Sequence, residues 1–352
     1  MEANAAMLTL ARESRGLRQG ELAEAMAERL GEPVSQGYVS KAEAGRLPVT
    51  DDRLQAISNV LHYPAEMLCS EPDANSVGVG LMHHRKKASL GALTLRRIHA
   101  QVTFSRSHVQ NLLALVDDFH HEFDRYVLTD EDSPSEIAQR VRRDWGLGDK
   151  PVGNLVAAIE AAGGIVLERD FATRELDAIS QWPQDRVPMM LLNPDAPADR
   201  FRFSLAHELG HLLMHHEPGS TPLQERQADE FASALLMPAS AIRHELRQGT
   251  VDLGRLAELK PVWGASMSAL ARRALDLRAL SEWRYRDLMV EYSILGFRQQ
   301  EPVSISSEHP SKFRNIIVDL MKLRGCDLDQ LAVTAGLFED EFEKLYLTVP
   351  SH

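Results

Sequence analysis

Apolar positions recur at helical spacing along most of the chain, and polar or glycine-rich breaks divide that pattern into blocks. Near the start, residues 7–14 read as a helix that ends near Gly16, and residues 19–27 as a second. A third spans residues 35–43 and is closed by Gly45, and Thr50 or Asp51 caps a fourth at residues 51–61. Leu22, Ala23, Val39 and Ile57 would face one small core. Residues 72–82, with Pro72, Gly78 and Gly80, read as a flexible linker. Leu93, Ile98, Val102, Leu112, Leu115, Val116 and Phe119 then keep helical register, which predicts a long connecting helix over residues 88–123.

After the connecting helix the period changes. Ser133 ahead of Pro134 caps a helix at residues 135–145, and residues 154–162 form the next, ended by Gly163-Gly164. Extended runs at residues 165–169, 178–182 and 187–193 predict a small sheet, with Pro188 suited to a strand edge or start. The third run or a neighbour would offer an edge on which an extended peptide can be clamped. Helical periodicity returns from residue 203 and continues to about residue 300. The tail reads as helices at residues 313–324, 328–334 and 339–346, forming a small lid or docking unit. The expected class is mainly α, of α+β type. Its expected parts are a helical domain at 1–70, a basic linker and connecting helix at 71–130, a core with a small β-sheet at 131–300, and a helical C-terminal tail at 301–352.

Chemistry concentrates in Phe203-Ser-Leu-Ala-His-Glu-Leu-Gly-His-Leu-Leu-Met214. His207 and His211 are four apart, so on a helix they lie about 40° apart on one face and both imidazoles can reach one metal ion. Glu208 adjoins them and can act as general base on a water at an open coordination position. Gly210 lets another backbone approach. A second helix follows, opening with Pro222-Leu-Gln-Glu-Arg-Gln-Ala-Asp-Glu-Phe231, and it offers Glu225, Asp229 and Glu230. Glu225 and Asp229 share a face. Glu225 is the expected third ligand, and Asp229 the acceptor for the free ring N–H of a ligating histidine. Glu230, about 100° further round, is the weaker candidate.

These two helices resemble the ImmA/IrrE family of bacterial metallopeptidases, in Arg200-Phe-Arg-Phe-Ser-Leu-Ala-His-Glu-Leu-Gly-His and in Glu225-Arg-Gln-Ala-Asp-Glu-Phe-Ala-Ser-Ala-Leu-Leu-Met-Pro238. The resemblance spans roughly residues 150–300. It implies a gluzincin-like zinc site, with His207, His211 and Glu225 as ligands and Glu208 as base. One Zn2+ per chain is expected, with another divalent ion such as Mn2+ as an alternative. The implied substrate is a protein, a helix-turn-helix repressor or antitoxin-like regulator in stress-response or mobile-element control. A second oxyanion donor is expected from among His215, His216, Arg202 and Tyr285.

The first 70 residues resemble the Cro/repressor-type (XRE) helix-turn-helix, in Gln19, Leu22-Ala23, Val39-Ser40, Glu43 and Gly45. That resemblance implies that Gln36, Gly37, Tyr38 and Lys41 face the DNA groove, with Gln19 and Ser40 near phosphates. Two features depart from it. The loop at residues 27–34 reads longer than a tight turn, and residues 1–70 hold ten acidic against seven basic side chains. Operator DNA and a protein partner both stay open for this domain, as does a homodimer.

Charge modifies the picture further. The 352-residue chain carries a net charge of −12, so any DNA contact must be local. No acidic residue occurs between Asp73 and Asp117, where Arg85, Lys86, Lys87, Arg96, Arg97 and Arg106 supply positive charge. This stretch would either bind phosphates or hold the acidic remainder closed over the site. The tandem pairs His83-His84 and His120-His121 are read as non-ligands, because adjacent helical residues do not face one ion. Two cysteines, no long apolar run and no basic leader predict a cytoplasmic protein without a membrane span. Two functions fit: a zinc endopeptidase with a fused DNA-binding-type domain, or a DNA-binding regulator whose peptidase fold serves sensing or partner binding.

Overall fold

The computed structural model describes residues 1–72, 90–128, 132–184, 186–216 and 221–348. The expected linker at 72–82 and the residues His83, His84, Arg85, Lys86 and Lys87 lie, apart from Pro72, outside the described residues. The fold is mainly helical with one small sheet. Among the described residues no helix is long and apolar enough to cross a membrane.

Five helices open the chain: α1 (Ala5–Ser14), α2 (Gln19–Leu30), α3 (Gln36–Glu43), α4 (Asp51–Leu61) and α5 (Ala65–Cys69). Local chemistry sets several of their ends. The Asn4 side chain accepts from the Ala6 and Met7 amides, and Ser35 accepts from the Tyr38 amide. Gly31 closes α2 in the left-handed region. The connection to α3 is therefore only residues 31–35, shorter than the sequence suggested, because Ala27-Glu-Arg-Leu30 continues the helix.

The next helix, α6 (Ala92–Leu113), ends earlier than its apolar pattern implies. Leu115, Val116 and Phe119 lie beyond its end yet still pack on the same core. The chain turns at Asp118, which takes a φ of 52° without a glycine or proline to announce it. Nor does α6 merely connect. Ile98, Val102, Val109 and Leu112 are completely buried, and the helix packs between α1 and the tail.

Beyond it come α7 (Pro134–Asp144) and α8 (Leu155–Ala161), capped by Ser133 and Asn154 as their sequences imply. Strands β1 (Ile165–Glu168), β2 (Ala178–Gln181) and β3 (Met189–Leu192) form a sheet of order β1-β3-β2. β1 runs parallel to β3, with Ile165 opposite Met189. β2 runs antiparallel, with Ala178 opposite Leu192. Successive residues point to opposite faces. Ile165, Leu167, Ile179, Met189 and Leu191 join a core with the N-terminal bundle, α6 and the tail. Val166, Ala178, Met190 and Leu192 join the core of the helices that follow. Burial on both faces explains why β1 and β3 read as nearly continuous apolar runs.

Those helices are α9 (Ala198–Met214), α10 (Pro222–Leu236), α11 (Ala239–Leu246), α12 (Leu253–Trp263), α13 (Met267–Asp276) and α14 (Glu282–Ile294). The tail forms α15 (Lys312–Arg324), α16 (Leu328–Ala335) and α17 (Glu339–Tyr346). It docks against the N-terminal bundle. Arg15 makes a two-pronged ion pair with Glu341 at 2.6 and 2.8 Å, and His62 lies 2.9 Å from Asp340. Glu160 at the end of α8 accepts from the Ser311 and Lys312 amides at the start of α15. Glu308 accepts from the Leu155 and Val156 amides at the start of α8.

Candidate metal centre

Helix α9 buries its apolar positions, with Leu205, Ala206 and Leu209 fully enclosed. The same burial carries three polar side chains inside: His207 is 1 %, Glu208 2 % and His211 0 % exposed. Buried polar groups at this depth require partners. Helix α10, begun by a capping box between Thr221 and Gln224, packs along α9 and brings them for the two histidines. Its close approach occurs at Gly210, where an added Cβ would meet Phe231 Cδ1 at 2.9 Å. Gly210 thus admits a neighbouring side chain rather than a neighbouring backbone.

His207 Nε2 and His211 Nε2 lie 3.0 Å apart. Glu225 places one carboxylate oxygen 3.4 Å from His207 Nε2 and the other 3.4 Å from His211 Nε2. The ligating atoms of all three fall within 4.8 Å of one another. A tetrahedral ion with bonds of about 2.0–2.1 Å sets its ligands roughly 3.3 Å apart, so this triangle has the size zinc needs. Two imidazoles and a carboxylate also suit its chemistry, and three protein ligands leave a fourth position.

The outer partners are ordered as well. Asp229 Oδ1 lies 2.8 Å from His207 Nδ1. Behind His211, the Nδ1 atoms of His211 and His215 are 2.8 Å apart, and His215 Nε2 lies 3.1 Å from Gln227 Oε1. Burial opposes a charge on His207, but hydrogen bonds with Asp229 and Glu225 outweigh it and raise the pKa to about 9. Metal loading would displace that proton. Burial lowers His211, and burial with the neighbouring His211 brings His215 down to about 4. Burial pushes Glu208 up to about 8, partly opposed by His207 and by Ser180.

Ser180 had no signal in the sequence. It sits on β2, and its hydroxyl donates to Glu208 Oε2 at 2.7 Å. Helix α9 packs on β2, so the strand at this edge of the sheet is β2, while β3 is paired on both sides and cannot serve as the peptide clamp. Other candidates lie elsewhere. Glu230 accepts from Ser135 at 2.7 Å. Arg202 is withdrawn as an oxyanion donor, because it is buried against the Val152 and Gly153 carbonyls and pairs with Glu308. His216 turns to the Leu213 carbonyl at 3.1 Å. Tyr285 packs, partly buried, on the core beneath α14.

In the N-terminal bundle, Gln36, Gly37 and Lys41 are exposed, while Gln19 and Ser40 are half-buried. Gln36 donates to Gln19 at 2.8 Å, and Gln19 donates to Glu43 at 2.8 Å. Arg12 holds Glu43 at 2.5 and 3.0 Å. Tyr38 is partly committed elsewhere: the Arg53 guanidinium stacks 4.3 Å over its ring. Arg96 of α6 lies 3.5 Å from Glu13 and shares a hollow with Arg18, Gln19, Gly20 and Gln36. One part of the basic stretch therefore stands beside the start of α2.

Comparison with known families agrees with both halves. Residues 159–275 match the family model of the IrrE N-terminal-like domain, Peptidase_M78. Residues 8–68 match a helix-turn-helix family model. No curated protein matches the chain. From N- to C-terminus, the chain thus carries a segment similar to helix-turn-helix domains and one similar to the IrrE N-terminal-like domain, Peptidase_M78.

Proposed function

We propose that the protein is a cytoplasmic zinc-dependent endopeptidase that cuts a helix-turn-helix repressor or antitoxin-like regulator. The convergence of His207, His211 and Glu225 beside Glu208, with both histidines and Glu208 buried, carries this reading. Those three residues would hold the ion, with Asp229 orienting His207. A bound zinc would supply Lewis acidity toward the scissile carbonyl and toward water. Glu208 takes the proton of the attacking water and delivers it to the leaving amide nitrogen. Ser180 keeps the carboxylate turned toward the reacting atoms.

The second reading is a DNA-binding regulator whose peptidase fold senses or binds a partner. The exposed start of α3, with Arg18 and Arg96 nearby, favours a role for this domain at operator DNA. The intact Glu208 favours hydrolysis, since sensing alone does not require a base. To separate the two, zinc-loaded protein is incubated with purified helix-turn-helix regulators from its host, and fragments are read by mass spectrometry. Cleavage by the wild type and none by a zinc-loaded Glu208→Gln variant supports the peptidase. Intact regulators throughout, together with a salt-dependent shift of operator DNA, supports the regulator.

A further inference from the structure

Two ring nitrogens at hydrogen-bond distance share one proton, so one donates and the other accepts. For His211 and His215 that pair is Nδ1 to Nδ1 at 2.8 Å. The direction follows from the other end of His211. Its Nε2 faces His207 Nε2 and Glu225, and it can ligate an ion only through an unprotonated lone pair. The His211 proton then resides on Nδ1 and is donated to His215. His215 in turn carries its proton on Nε2 and donates it to Gln227 Oε1 at 3.1 Å. Reversing this order would put a proton on the atom that must bind the metal.

We propose that His215 and Gln227 are positioning residues that lock His211 in its metal-binding tautomer and ring orientation. This rests on the reading that His211 is a ligand. The two histidine ligands are thereby backed differently. His207 has a carboxylate, Asp229, whose side chain is 39 % exposed. His211 has two side chains without a carboxylate, the buried His215 and the half-buried Gln227. Glu208, Glu225 and Asp229 already place three carboxylates around the centre. A fourth behind His211 would add a buried negative charge in excess of a divalent ion. An imidazole accepts the proton without adding that charge.

The test is zinc affinity, measured by competition with a chromophoric chelator on the full chain. His215→Phe keeps the ring volume and removes both nitrogens, and it should weaken zinc binding by about 10- to 100-fold. Gln227→Leu, at a half-buried position, should weaken it in the same direction, whereas Gln227→Glu keeps an acceptor at the outer end of the relay, where its charge reaches solvent, and should weaken it less. Nitrogen-15 shifts of the zinc-loaded wild type should show His211 protonated at Nδ1. Wild-type affinity in both His215→Phe and Gln227→Leu overturns the relay, as does an equal loss in Gln227→Leu and Gln227→Glu. A wild type that binds no zinc overturns the ligand assignment itself, before either variant is compared.

Discussion

Ser180 Oγ stands 2.7 Å from Glu208 Oε2 and 3.3 Å from the Glu208 carbonyl oxygen. A strand of the sheet thus holds the candidate base through one hydroxyl, whose proton goes to the nearer, side-chain oxygen. Ser180→Ala removes a hydrogen bond to a buried carboxylate, a loss of about 1.5–3 kcal/mol. If that energy orients Glu208 during proton transfer, kcat should fall by roughly 10- to 100-fold. Metal content and KM should stay near wild type. Steady-state kinetics on an identified substrate, with metal analysis alongside, decides this, and an unchanged kcat would refute the assignment.

His108 predicts a pH dependence of stability away from the metal. It is buried in α6, with Nδ1 2.7 Å from the Tyr346 hydroxyl. Burial lowers its pKa from 6.5 to about 3, with Arg169 and Arg15 acting in the same direction. The unfolded chain therefore binds this proton first as pH falls below about 6.5, and the fold loses stability until pH approaches 3. His108→Gln should flatten that part of the curve. Urea melts at pH 7 and pH 5 on both proteins measure it; equal pH slopes would rule His108 out as a source.

Phe342 tests whether the tail and the N-terminal bundle are one cooperative unit. Its ring is fully buried and packs on Tyr346, 5.4 Å between centroids, within the core shared by α1, α4, α6 and the sheet. Phe342→Ala should cost about 3–5 kcal/mol. Hydrogen exchange should rise in α1 and α6 as well as in α15 and α17. Faster exchange confined to the tail would show that the tail unfolds alone.

Much of the candidate site was legible because it rests on local periodicity. The spacing of His207 and His211 and the capped helix bearing Glu225 and Asp229 each depend on one helix at a time. Ser180 and Gln227 were not legible, since their value comes from elements that meet only after folding. The same holds for α6. Its apolar stripe announced a helix, but not that the stripe would be enclosed by the first and last segments of the chain together. His215 stands in the sequence only among the oxyanion candidates, and its bond to His211 needed coordinates.

The central claim is that His207, His211 and Glu225 bind one zinc ion. Metal analysis of the purified, dialysed full chain by mass spectrometry tests it most directly. The wild type should carry about one zinc per chain, the number one three-ligand site holds, and Glu225→Ala should lose most of it. A wild type that remains metal-free after incubation with zinc, or a Glu225→Ala variant that retains a full complement, would contradict the claim.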